Sequence, residues 1–187
     1  MQLPLFPLPV CLLPGGISHL RIFEPRYQRL VTESCQSNRG FGMCMMSESG
    51  HILAMGTQAV ITDFETLPDG LLGITVKGKQ RFSLQQAIQE QDGLYRGEIT
   101  LLPNWQPVPL QQQDRYLQTT LEDLLADYPR QQVSSDNSEM NDISWLCQRW
   151  LEILPLTPDE KMPCIQAPDH QPALNLIRTL ITTSPHQ

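Results

Sequence analysis

The chain has 187 residues, 40% of them hydrophobic, with 13 Lys and Arg against 20 Asp and Glu for a formal net charge of −7. That length suits one domain, or a domain with a helical appendix, and 11 Gly with 16 Pro are too few for a collagen-like or low-complexity chain. An acidic chain with no basic run repels phosphate backbones, which argues against nucleic acid as a partner.

The charge is unevenly placed, about −1 over residues 1–105 and −6 over 106–187. Five cysteines at 11, 35, 44, 147 and 164 form no C-x-x-C and sit mostly among apolar neighbours, the pattern of reduced, buried thiols in a cytoplasmic protein. The apolar N-terminus has no basic region and is broken by Pro4, Pro7, Pro9 and Pro14, so neither a signal peptide nor a membrane helix is expected there.

In chain order, Leu3–Leu8 carries prolines that assign it to an edge strand or an extended segment. Pro14-Gly15-Gly16 marks a turn, and Ile17–Phe23 alternates as a strand. A helix follows from Pro25, with Tyr27, Leu30, Val31 and Cys35 as one apolar stripe and Asn38-Arg39-Gly40 as a glycine-type stop. Strands are expected at Phe41–Met46, Gly56–Leu67, Leu71–Val76, Arg81–Leu84 and Tyr95–Leu102, with hairpin turns at Leu67-Pro68-Asp69-Gly70 and Gln91-Asp92-Gly93. Such spacing favours a small closed or nearly closed barrel.

After Pro103 the period becomes helical. Leu117, Leu121, Leu124, Leu125 and Tyr128 mark one helix; Ile143 to Leu154 mark a second, capped by Asn141 or Asp142 and stopped by Pro155. Thr157-Pro158-Asp159-Glu160 is a capping box, and a last helix runs from about Pro172 to Thr182. A polar loop is expected near 129–141. The division is a β-rich unit, 1–105, and a helical bundle, 106–187.

Chemistry-bearing patterns are sparse. Gly73 to Gln80 matches a phosphate-binding loop except at its last position, where Gln80 cannot replace the magnesium-binding hydroxyl. Met43-Cys44-Met45-Met46 points to alternate faces of a strand, so its sulfurs cannot converge on one metal and read as core packing. The four histidines lie far apart, and neither a metal nor another cofactor is implied. A Cys164–His170 nucleophile pair would have to be assembled by the fold. Glu24-Pro25-Arg26-Tyr27 gathers a carboxylate, a guanidinium and a phenol at a helix start. It reads either as a ligand corner or, more simply, as Glu24 capping the helix, Arg26 paired with a carboxylate and Tyr27 filling the barrel mouth.

The run Leu3 to Val31 resembles the opening of the LON substrate-binding domain, the N-terminal domain of ATP-dependent Lon proteases. The resemblance rests on Leu5-Phe6-Pro7-Leu8, Pro14-Gly15, Ile22-Phe23-Glu24-Pro25-Arg26-Tyr27, Gly56-Thr57 with Ala59, Leu67-Pro68-Asp69-Gly70, Gly78 with Arg81-Phe82, and Leu154 to Lys161. It implies an α+β fold, a six-stranded PUA-like pseudo-barrel with one helix followed by a helical bundle. It also implies recognition of unfolded or apolar polypeptide segments for a protease or chaperone. With no ATPase or Ser–Lys peptidase module in the sequence, a non-catalytic binding module is expected, in a bacterial cytoplasm, without membrane or nucleic-acid partners. The contact surface is expected at Leu13, Ile17, Phe23, Arg26 and Tyr27, on the premise that the Leu12–Ile17 loop is an exposed apolar patch. A PUA-like RNA binder, needing Arg21, Arg26, Arg29 and Arg39 on one face, and a small hydrolase with a fold-assembled site are the rivals.

Overall fold

A computed structural model describes residues 1–127 and 138–182. Its contacts group into two units, Met1–Pro103 and Asn104–Gln187. The first holds β1 (Gln2–Pro7), β2 (Ile17–Ile22), α1 (Pro25–Ser37), β3 (Phe41–Met46), β4 (Ile52–Thr66), β5 (Leu72–Gln89) and β6 (Tyr95–Leu101). The sheet order is β2-β5-β4-β3-β1-β6, and β5 pairs again with β6. That second pairing closes β5, β4, β3, β1 and β6 into a ring, with β2 attached outside it. The pseudo-barrel is thus present.

Strand β1 is not an edge. It pairs in parallel with β3 and antiparallel with β6. The prolines fit because of alternation. Met1 exchanges its ammonium and carbonyl with Ile99, so odd-numbered residues face β6 and even-numbered ones face β3. Pro4 faces β3 before that ladder begins at Leu5↔Gly42; Pro7 faces β6 after that ladder has ended at Leu5↔Tyr95. Neither missing N–H costs a ladder bond.

The arms expected at Leu71–Val76 and Arg81–Leu84 are one 18-residue strand, β5, rather than two. It serves β2 and β4 with its first half and β4 and β6 with its second, and its register with β4 shifts between Gln58 and Ala59. Gly78 makes this possible, since a Cβ there would overlap the Leu13 carbonyl oxygen of the adjoining turn. The phosphate-loop-like stretch from Gly73 to Gln80 lies inside this strand.

Helix α1 starts with Pro25 at its first position and buries Tyr27, Leu30, Val31 and Ser34. Ser34 replaces the expected Cys35, which is exposed; the Ser34 hydroxyl is made compatible with burial by donating to the Leu30 carbonyl at 2.7 Å. The left-handed stop is Asn38, φ 53°, not the glycine. Glu24 caps with its carbonyl, which accepts from Tyr27 and Gln28, rather than with its carboxylate. Phe6, Tyr27, Leu30, Phe41, Ile74 and Val76 anchor one barrel core; Leu5, Phe82 and Ile99 anchor a second cluster.

In the second unit, α2 (Arg115–Ala126), α3 (Ile143–Ile153), α4 (Pro158–Gln166) and α5 (Gln171–Thr182) form the bundle. Helix α2 buries Leu117 and Leu121, whereas Leu124 is exposed, narrowing the expected stripe; Tyr128 lies outside the described residues. Asp142 caps α3 through Ser144 N–H, and the capping box of Thr157 and Glu160 is complete at 2.7 and 3.2 Å. Trp150 Nε1 donates to the Leu117 carbonyl and Trp105 Nε1 to that of Ala167, so these two indoles are buried with their donors satisfied, whereas the buried Trp145 Nε1 has no hydrogen-bond partner among the described residues. Of the expected polar loop, 138–141 is described and holds a 3-10 turn, Glu139–Asn141; the rest lies outside the described residues.

Candidate functional site

The expected contact residues separate on burial. Leu13 is 2% and Tyr27 8% exposed, so both are core side chains, while Ile17 is half-buried and Phe23 is 59% exposed. The Leu12–Ile17 loop is no apolar patch, because Leu12, Leu13 and Pro14 are all buried. Tyr27 stacks on Phe6 with ring centroids 3.9 Å apart and planes 7° apart. Burial pushes its phenol above the ordinary value. Arg26 lies over the Tyr27 ring, donates from Nε to the Glu24 carboxylate at 2.7 Å and from Nη1 to the Gly93 carbonyl at 3.0 Å. The corner of Glu24, Arg26 and Tyr27 is therefore assembled, with Arg26 bonded to the Glu24 carboxylate and laid over the Tyr27 ring.

The neighbouring arginines are also engaged. Arg29 meets Glu33, Glu90 and Asp92, and Arg96 meets Glu33 and Glu90. The Arg96 and Arg29 hydrogen bonds hold the Glu90 carboxyl below its ordinary value, and the Leu94 N–H followed by Arg29 does the same for Asp92. Arg21 pairs with Asp69. The network ties α1 to the β5–β6 turn; of the four arginines an RNA-binding face would need, Arg21, Arg26 and Arg29 are paired with carboxylates, and Arg39 is exposed and in no ion pair among the described residues.

Nucleophile chemistry finds little footing. Burial pushes the Cys44 and Cys147 thiols up to about 12 and that of Cys164 upward. His170 places its ring nitrogens against Ser144 and Gln171, so the Cys164–His170 pair is not formed. Ser144 gives its one hydroxyl hydrogen to the Gln106 carbonyl at 2.7 Å and can only accept from His170 Nδ1 at 3.2 Å, the reverse of an activated nucleophile. A polar crevice of about 210 Å³ beside His170 contains Asp114, whose buried carboxylate is clamped by both Arg178 nitrogens at 2.8 Å. That pair is a structural tie within the bundle.

A different feature of the barrel unit is open. Between the C-terminal half of α1 and β4 runs a groove of about 260 Å³, lined by Ser34, Cys35, Gly40, Val60, Ile61 and Phe64 among others. Cys35 is exposed and Phe64 is 51% exposed. The β3–β4 ladder begins at Phe41↔Ala59, so among the described residues no strand lies on that side of β4 beyond Ala59. Sequence reasoning missed these residues. Their one local signal is Phe64, an apolar side chain among Thr62, Asp63, Glu65 and Thr66.

No described helix is long and apolar enough to cross a membrane. The profile of the ATP-dependent protease La (LON) substrate-binding domain matches residues 2–183. A Lon protease of Parabacteroides distasonis is 27% identical over 154 residues, 74% of this chain but 19% of that protein, so the chain spans about one fifth of its curated relative. The crystal structure of a Lon N-terminal domain protein from Xanthomonas campestris superposes with a TM-score of 0.76 at 30% identity, covering 99% of both chains. The N-terminal domain of a Mycobacterium avium complex Lon protease shares the fold, with a TM-score of 0.67 at 15% identity over 99% of this chain and all of that one. The ringed barrel, the helix at Pro25 and the bundle that follows thus coincide with a profile running nearly end to end, and the chain belongs to the LON substrate-binding domain family.

Proposed function

We propose that this chain is a non-catalytic recognition module that holds unfolded or apolar polypeptide segments in the cytoplasm, on behalf of a protease or chaperone. The observation that carries the reading is the substrate-binding profile over residues 2–183, on a fold shared with Lon N-terminal domains. The site chemistry supports it. Raised thiol pKa values and a serine bonded in the wrong sense for attack count against covalent chemistry, and Arg29 and Arg96 are paired with carboxylates.

The test is binding of fluorescein-labelled, reduced and carboxymethylated α-lactalbumin, followed by polarisation, with native α-lactalbumin as competitor. Binding of the unfolded probe that the native protein does not displace is expected; equal affinity for both, or none for the unfolded probe, overturns the reading. Incubation of the same probe without nucleotide should leave it intact, and cleavage suppressed by thiol alkylation would favour the hydrolase instead.

A further inference from the structure

We infer that the edge of β4 at Val60–Thr66, which no described strand covers, together with the groove between it and α1, takes an extended polypeptide segment as an added β-strand, with alternate apolar side chains and Lys or Arg at its ends. The inference rests on the polypeptide-binding reading above and gives it a place and a mode.

The strand edge comes first. Gly78 exchanges backbone bonds with the turn before β2, accepting from Gly15 N–H and donating to the Gly16 carbonyl. Alternation then turns the Val76, Ile74 and Leu72 backbones toward β2 and those of Lys77, Thr75 and Gly73 toward β4. Their β4 partners are Val60, Asp63 and Glu65, with the register shift falling between Ile61 and Asp63. The backbone groups of Ile61, Phe64 and Thr66 therefore face away from β5. Phe64 agrees: its N–H donates to the neighbouring Asp63 Oδ1 at 2.9 Å, not to a strand. An N–H satisfied by an exposed side chain can exchange that bond for an incoming carbonyl, and the shift near Thr62 guards the edge against indiscriminate pairing.

The groove supplies the second element. A strand added to a sheet edge beside a helix gains main-chain hydrogen bonds from the edge and selectivity from pockets for alternate side chains. Here the helix side offers Ser34 and Cys35, and the strand side Val60, Ile61 and Phe64. About 260 Å³ is room for a few aliphatic side chains and no folded partner.

Charge decides the ends of the occupant. On the edge itself Asp63 and Glu65 are exposed carboxylates, against which Arg39 stands as a cation between the groove residues Asn38 and Gly40. The groove also lies at the C-terminal end of α1, where the helix dipole is negative and no basic side chain occupies the last turn. Cationic flanks are attracted on both counts, and acidic ones are repelled.

The experiment uses the full chain and an eight-residue fluorescein-labelled peptide with alternating valine and threonine between terminal lysines. Comparison peptides carry terminal glutamates, or a central proline that removes a ladder donor. Phe64→Ser and Cys35→Trp each alter an exposed side chain without changing the charge, so the fold is kept and is checked by circular dichroism. Expected is at least a tenfold loss of affinity for the lysine peptide with either variant, and a similar loss with either altered peptide on the parent chain. If both variants bind the lysine peptide as the parent does, the β4 edge is overturned, while binding of unfolded α-lactalbumin by the same variants leaves the module's general role standing. If the parent binds neither probe, the general role fails with it. Equal binding of the glutamate peptide overturns the charge assignment.

Discussion

At Gly40 the chain turns from α1 into β3 with φ 70°, and a Cβ there would overlap the Ala59 carbonyl oxygen of the neighbouring strand. A left-handed backbone costs a non-glycine residue about 1–2 kcal/mol, and the overlap adds to it. Gly40→Ala should lower stability by more than about 2 kcal/mol, read as a fall in the urea midpoint; an unchanged midpoint would show that β4 yields at this point. Tyr27 carries a comparable weight for another reason. Its ring is buried and stacked on Phe6, so Tyr27→Ala should cost about 3–5 kcal/mol in the same measurement, through lost burial and the cavity left behind. A contact residue would instead lose binding with little change in stability. The sequence offered both readings of Tyr27, since helical spacing identifies an inward stripe but not whether that stripe meets a core or a ligand.

At the scale of elements, α1 and the β5–β6 turn are joined by Arg29, Arg96, Glu33, Glu90 and Asp92. Glu90 and Asp92 have folded-state values below the ordinary 4.5 and 3.8, so their contribution is present above those values and is lost as pH falls through the depressed ones. The stability difference between the parent and Arg96→Ala should therefore be present at pH 7 and shrink below about pH 4, as read from urea midpoints. A difference that stays constant down to pH 3 would assign the effect to the packing of the arginine stem. In the bundle, Thr157→Ala removes the hydroxyl that accepts from Glu160 N–H and should cost about 1 kcal/mol. This capping box was legible in four consecutive residues because both its bonds are local. The charge network was not, since its bonded partners lie up to 63 residues apart and meet only through the closed sheet.

Over the whole molecule, the cysteines report on integrity. Cys44, Cys147 and Cys164 are buried, Cys11 is half-buried and Cys35 is exposed. Treatment of the native chain with a maleimide, followed by intact mass, should show one rapid addition at Cys35 and a slower one at Cys11. The remaining three should react only when the chain unfolds. Rapid addition of all five would show cores that open readily.

Sequence alone determined the order of the main elements, the turns at Asp69-Gly70 and Asp92-Gly93, the helix starts at Pro25 and Pro158, and the family. Each of these is set by interactions among near neighbours, or by an ordered series of such signals. Tertiary structure decided the rest. It placed proline-bearing β1 inside the ring, because alternation turns each missing N–H away from a ladder. It made one strand of β5 by giving its two halves different partners. It buried Leu13 and Tyr27 and left Phe64 on an edge that no described strand covers. Whether an apolar side chain faces core or solvent depends on which strand arrives across from it, and that pairing is a long-range event no local pattern encodes.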